Sequence, residues 1–173
     1  MHPPHTLKAM SETPPVYGAR KLRTIETEIG QTKPFATQRH RALVNLMFTY
    51  GWHLERMRGR IEPYGITVQQ YNVLRILRGA KAPISTSIIR SRMLDRMSDT
   101  SRLVDRLHKK GLVIRRTCPS DKRLVDISIS NEGLQLMADL DRREKNFVGL
   151  ADGITEAEAE TLNTLLDRLR SSS

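Results

Sequence analysis

Apolar residues recur at helical spacing over most of this chain and alternate at strand spacing in one short stretch. The helical pattern sets in at Arg23, and the run FATQRHRALVNLMFTYGWHLERMRGRIEPYG, from Phe35, reads as one long helix. Leu43, Met47, Tyr50 and Leu54 form its first apolar stripe. Pro34 fits near its start, Gly51 is tolerated inside it, and Pro63 with Gly65 ends it. Val44, Leu46, Phe48 and Trp52 add further apolar positions, so the helix is expected to be buried on several sides. In a chain of 173 residues the second burial is expected to be a dimer interface.

Thr67 caps VQQYNVLRILRG, with Val68, Tyr71, Leu74 and Leu77 inward and Gly79 as the stop. Ser85 caps the short TSIIRSRML. A turn at DRM then leads to Ser98, read as the cap of DTSRLVDRLHKK, which Gly111 terminates. Two short helices joined by a tight turn are a helix-turn-helix. LVIRRT and LVDISIS follow as strands, with Val125, Ile127 and Ile129 alternating with Asp126 and Ser128, and CPSDKR forms a charged loop between them. Ser130 caps a helix running to about Leu150, and Thr155 with Glu158 makes a capping box for a last helix lined by Leu162, Leu165, Leu166 and Leu169.

The expected fold is mainly α with a small β-hairpin: a winged helix-turn-helix flanked by long N- and C-terminal dimerisation helices. Residues 1–22, with prolines at 3, 4, 14 and 15, read as a flexible tail. Residues 23–173 read as a single domain, in which 23–64 and 131–173 dimerise and 66–130 form the DNA-binding part.

Charge makes the picture specific. The net charge is +10, and residues 75–123 alone carry 14 basic and 4 acidic side chains, whereas residues 124–173 carry 5 basic and 10 acidic. Such clustering is the footprint of a phosphate binder rather than of an evenly solvated surface. Residues 85–130 contain no Phe, Tyr or Trp. Stacking platforms for single-stranded RNA are therefore missing, and duplex DNA is favoured. A winged helix used for protein–protein contact, or a non-specific architectural DNA binder, is the competing reading; the protein-contact module would lack a basic reader helix and wing.

Other classes find little support. Hydrophobic residues make up 38% and no apolar run approaches a membrane span. The N-terminus lacks a secretory signal, and Cys118 is the sole cysteine, so a reducing cytoplasm is the expected setting. Histidines 2, 5, 40, 53 and 108 show no metal-ligand spacing, and there is no phosphate loop or nucleophile elbow. No enzyme activity, cofactor or metal is expected.

On the helix after Ser98, Leu103 and Leu107 mark the core face, with Thr100 and Val104 beside them. Ser98, Ser101, Arg102, Asp105, Arg106 and Lys109 take the other side. Arginine can bond guanine O6 and N7 together, so Arg102 is the expected main base reader, followed by Ser101 and Arg106. For Arg106 a phosphate or salt-bridge role stands equally open. Asp105 is discordant beside DNA: it holds Arg102 or Arg106, or accepts from a cytosine amine. Ser87, with Ser85 and Thr86, begins a helix whose N–H groups can hold a phosphate, although capping is the plainer role.

Three segments, SRLVDRLHKKGLVIRR, Asp121-x-Arg123 and Ile127-x-Ile129-Ser130-x-x-Gly133, together resemble the multiple-antibiotic-resistance regulator (MarR) family over roughly residues 35–170. The resemblance implies a homodimeric winged-helix transcription factor, usually a repressor, often released by a small phenolic or lipophilic effector. Twofold symmetry would favour a pseudo-palindromic operator. The resemblance also implies that Arg123 enters the minor groove, braced by Asp121, with Lys122 at the tip. Tyr50, Trp52, His53 and Tyr71 are candidates for an effector pocket, although core or interface packing is the commoner use of such residues. Cys118 lies near Arg115, Arg116 and Lys122, which favours the thiolate. Family members that sense oxidants use a cysteine near the N-terminus, which this chain lacks, so simple tolerance in the strand outweighs a redox role.

Overall fold

The long helix begins at Gln38 rather than Phe35, because the Thr37 hydroxyl accepts the His40 N–H at 3.1 Å and sets the first turn. The computed structural model of the protein describes residues 23–117, 125–143 and 153–171. Along them run α1 (Ile25–Glu28), α2 (Gln38–Ile61), a 3-10 turn (Glu62–Tyr64), α3 (Val68–Gly79), β1 (Ile84–Ser85), α4 (Thr86–Arg92), α5 (Thr100–Lys109), β2 (Val113–Thr117), β3 (Val125–Ile129), α6 (Asn131–Arg143) and α7 (Glu156–Ser171). The expected tail, residues 1–22, and the stretch up to Leu150 beyond α6 lie outside the described residues.

α2 ends as its prolines and glycines foretold. Pro63 opens the 3-10 turn, and Gly65 closes it at a φ of 69°, a conformation that suits glycine. The Arg41 guanidinium bonds both oxygens of Glu26, at 2.6 and 3.2 Å, and ties α1 to α2. That bond holds the Glu26 carboxyl down at about 2.

α3 is the central helix. It starts with a reciprocal box, in which Thr67 accepts the Gln70 N–H at 3.2 Å and the Gln70 amide oxygen accepts the Thr67 N–H at 3.0 Å. Its buried face, Tyr71, Val73, Leu74 and Leu77, joins Ile61 of α2, Ile89 of α4, Val104 and Leu107 of α5, Ile127 of β3, and Met137 and Leu140 of α6 in one core. Arg78 pairs with Asp141 at 2.6 Å and fixes α3 to α6 at the surface.

The hairpin gains a third strand. β2 and β3 pair antiparallel from Val113↔Ile129 to Thr117↔Val125, and β1 joins the far side of β3 through Ile84↔Ile127. Two residues are too few to show alternation, so this pairing had no signal along the chain.

One junction joins four elements. Gly111, at a φ of 72°, closes α5, with Leu112 N–H bonding Leu107 O at 3.0 Å and Gly111 N–H bonding His108 O at 2.9 Å. The Ser130 hydroxyl donates to Gly111 O at 2.6 Å and accepts the Gly133 N–H at 3.0 Å, so it caps α6 while gripping the end of α5. Ser130 N–H donates to Leu112 O at 3.1 Å. Gly133 passes so close that an added Cβ would sit 2.3 Å from that same oxygen.

The long helices bury little within one chain. Within one chain α2 buries only Met57 and Ile61, and α7 buries none of its side chains. Leu43, Leu46, Met47 and Phe48 of α2 and Leu162, Leu165 and Leu169 of α7 face outward.

Candidate nucleic-acid interface

α5 splits cleanly into two faces. Thr100, Val104 and Leu107 are buried in the core, with Leu103 half-buried beside them. Ser101, Arg102, Asp105, Arg106 and Lys109 are exposed on the other side. Five of the sequence-predicted contacts thus sit on or beside one helix, with Ser98 just ahead of it.

The cap of α5 is a correction to the reading of Ser98. Asp99 fills that position, and its carboxylate accepts the Arg102 N–H at 3.1 Å. Ser98 is diverted because its hydroxyl donates to the Asp95 carboxylate at 2.8 Å. The other Asp95 oxygen accepts the Met97 N–H at 3.0 Å. Upstream, the buried Asn72 side chain accepts the Leu94 N–H at 3.1 Å. The turn between α4 and α5 is therefore pinned to the core at one end and self-bonded at the other. Nothing along the chain marks Asn72 for this task, since its partner lies 22 residues away.

The Asp99 carboxylate has a second use. It also pairs with the Arg102 Nε at 3.1 Å, on a side chain otherwise open to water. The bond uses Nε and leaves the terminal nitrogens, which form the fork that matches guanine. Asp105 pairs with neither Arg102 nor Arg106 but with Arg115 of β2. The carboxylate on the exposed face of α5 is thereby neutralised by the base of the wing. Sequence reasoning missed this pair because it crosses from helix to strand.

Ser85 caps α4, accepting the Ile88 N–H at 3.4 Å, and its hydroxyl lies 2.8 Å from that of the exposed Ser87. Arg90, Arg92 and Arg96 are exposed on and after α4, as are Arg115 and Arg116 on β2. The wing strands are in place up to Thr117 and from Val125. The predicted tip residues Cys118, Asp121, Lys122 and Arg123 lie outside the described residues.

The proposed pocket residues are not brought together in a single chain. Tyr50, Trp52 and His53 are exposed on α2, with the Arg56 guanidinium 4.8 Å above the Trp52 ring. Tyr71 is buried in the core, and that burial raises the pKa of its hydroxyl. A separate open groove of about 430 Å³ lies between Tyr64, Leu112 and the first turns of α6, at Glu132, Gln135, Leu136 and Asp139. Among the described residues no cluster of three His, Cys, Asp or Glu side chains could hold a metal, and no helix is long and apolar enough to cross a membrane.

A MarR family profile matches residues 64–124, the span from the end of the 3-10 turn to just before β3. The chain is 29% identical to the HTH-type transcriptional regulator PecS of Dickeya dadantii, over 61% of this chain and 66% of that protein. It is 26% identical to the HTH-type transcriptional repressor IacR of Pseudomonas putida, over 68% and 71% of the two chains. A crystal structure of a MarR transcription factor from Planctomyces limnophilus superposes with a TM-score of 0.59 at 28% identity, covering 81% of this chain and all of that one. Winged fold, matched segment and relatives agree in supporting a MarR-family DNA-binding transcription regulator.

Proposed function

We propose that this regulator works as a homodimeric repressor, acting in the cytoplasm on a pseudo-palindromic operator. In this reading α5 enters the major groove, and the wing, with Lys122 and Arg123 at its tip and Asp121 bracing it, reaches the adjacent minor groove. The observation that carries it is the two-faced α5, whose buried side fixes it to the core while Ser101, Arg102, Arg106 and Lys109 stand clear. The sign of regulation is carried over from IacR, which is named a repressor. Dimerisation is supported by the apolar side chains that α2 and α7 leave exposed, since large exposed apolar patches mark interaction sites. Release by a small lipophilic effector completes the proposal, with Tyr50, Trp52 and His53 as its contacts at the seam between two chains.

The test is titration of the full chain against the DNA upstream of its own gene and against random duplex, over a range of salt. A selective complex with two chains per site is expected. Arg102→Ala should weaken the cognate complex by about 1–3 kcal/mol per half-site and relax base preference there. Equal losses on cognate and random duplex would remove Arg102 as a reader.

The neutralised pair makes its own prediction. Asp105→Ala leaves Arg115 for phosphate, so the log–log salt dependence of binding should steepen by about one per chain. Arg115→Ala leaves an unbalanced carboxylate facing the duplex and should flatten the slope and weaken binding. Identical slopes for both variants would show that the pair does not face DNA.

A further inference from the structure

Among the described residues Met97 is the most exposed large apolar side chain, at 93%, and Leu94 in the same turn follows at 80%. A single exposed apolar residue is ordinary. Here, however, the backbone beneath both is held, Leu94 N–H by buried Asn72 and Met97 N–H by Asp95. These side chains are presented on a fixed turn rather than carried by a loose one.

Their surroundings carry more cations than anions, Asp95 and Asp99 being the two carboxylates of the turn. Arg90, Arg92 and Arg96 are exposed around the turn, and Arg102 lies one turn into α5. Such a setting repels a second copy of the same surface and suits a polyanion. The turn also leads directly into the N-terminal end of α5, and in a helix-turn-helix that end meets the base edges. On the major-groove edges the apolar feature is the C5-methyl group of thymine. A thioether chain is long and adaptable enough to close over it.

We propose that Met97 is a specificity-determining residue that reads a thymine methyl group in each half-site. The inference rests on the DNA-binding reading above and adds to it a base identity.

The experiment uses the full chain and a duplex that it selects from a randomised pool. Each thymine is replaced in turn by deoxyuridine, which deletes the methyl group and keeps the pairing. At one position per half-site, affinity should fall about fourfold per methyl lost, the effect of one buried carbon. Met97→Ala should bind the thymine duplex more weakly by a similar factor and be indifferent to deoxyuridine at that position. Met97→Leu should retain most of the methyl effect. If Met97→Ala responds to deoxyuridine as fully as the parent does, the two losses are independent and Met97 reads no methyl group. If no duplex is enriched from the pool at all, the sequence-specific reading falls and this inference with it.

Discussion

Exchanging Leu165 and Leu169 for glutamate together should give a folded monomer whose affinity for its operator is lower by a factor of about 10² to 10⁴. The fold should survive because α7 buries none of its side chains within one chain, so the new carboxylates replace leucines that already face outward. The dimer should not survive. Leu162, Leu165 and Leu169 fall on one stripe of α7, and in the proposed dimer they would meet apolar positions such as Leu43 and Met47 of α2. Two carboxylates per chain would have to be desolvated there without partners. A monomer carries a single α5, and binding a second half-site is no longer an intramolecular event. Sedimentation gives the mass, circular dichroism the helix content and DNA titration the affinity. A variant that stays dimeric, or a monomer that binds as tightly as the parent, would move the interface elsewhere.

The second large effect is expected from one carbon atom. Gly133 lies in the first turn of α6 and is not among the glycines with positive φ, so alanine suits its backbone, and helix propensity alone would favour the exchange by up to about 1 kcal/mol. Space decides the other way. The added Cβ would stand 2.3 Å from Leu112 O and 2.8 Å from Ile129 Cγ1. The first is a backbone oxygen that already accepts from Ser130 N–H and cannot rotate aside. Gly133→Ala should therefore destabilise the fold by about 2–3 kcal/mol, the usual scale of overpacking. In a domain of this size that lowers Tm by roughly 5–10 °C. Gly59→Ala is the matched control, because nothing lies within 4 Å of its Cβ position. It should hold or raise Tm. Equal melting of the two variants would mean that the junction yields at little cost.

Local signals were legible where the chemistry is local. Periodicity located the long helices, and Thr67, Ser85, Ser130 and the Thr155–Glu158 box are the caps they resemble on paper. Ser98 misled because two good capping residues stand side by side, and the choice between them was made by Asp95, a third residue outside the helix. β1 was invisible because its two residues become a strand only by meeting Ile127 and Asp126, some forty positions on. Asp105 offered three partners within its own helix and its ligand, and took Arg115 from the strand instead. Gly133 looked like part of a helix start, and its real role, letting two backbones touch, leaves no mark in spacing. Of the expected contact residues, those on α5 do share one exposed face, because one helix face is a one-dimensional pattern. The aromatic set could not be assembled, since Tyr71 turns into the core while Tyr50, Trp52 and His53 turn away from it.

The junction at Ser130 also limits how α5 can move. α6 is fastened at one end to the close of α5 and near the other to α3 through Arg78 and Asp141, while α3 packs directly on α5. Turning α5 alone would break these contacts, so in the proposed dimer the distance between the two α5 helices is expected to change by carrying each triangle as a block. In the proposed effector-released dimer, the effector would then act on the struts between the blocks, at α2 and α7, and leave every contact around α5 untouched while moving it out of register with the groove.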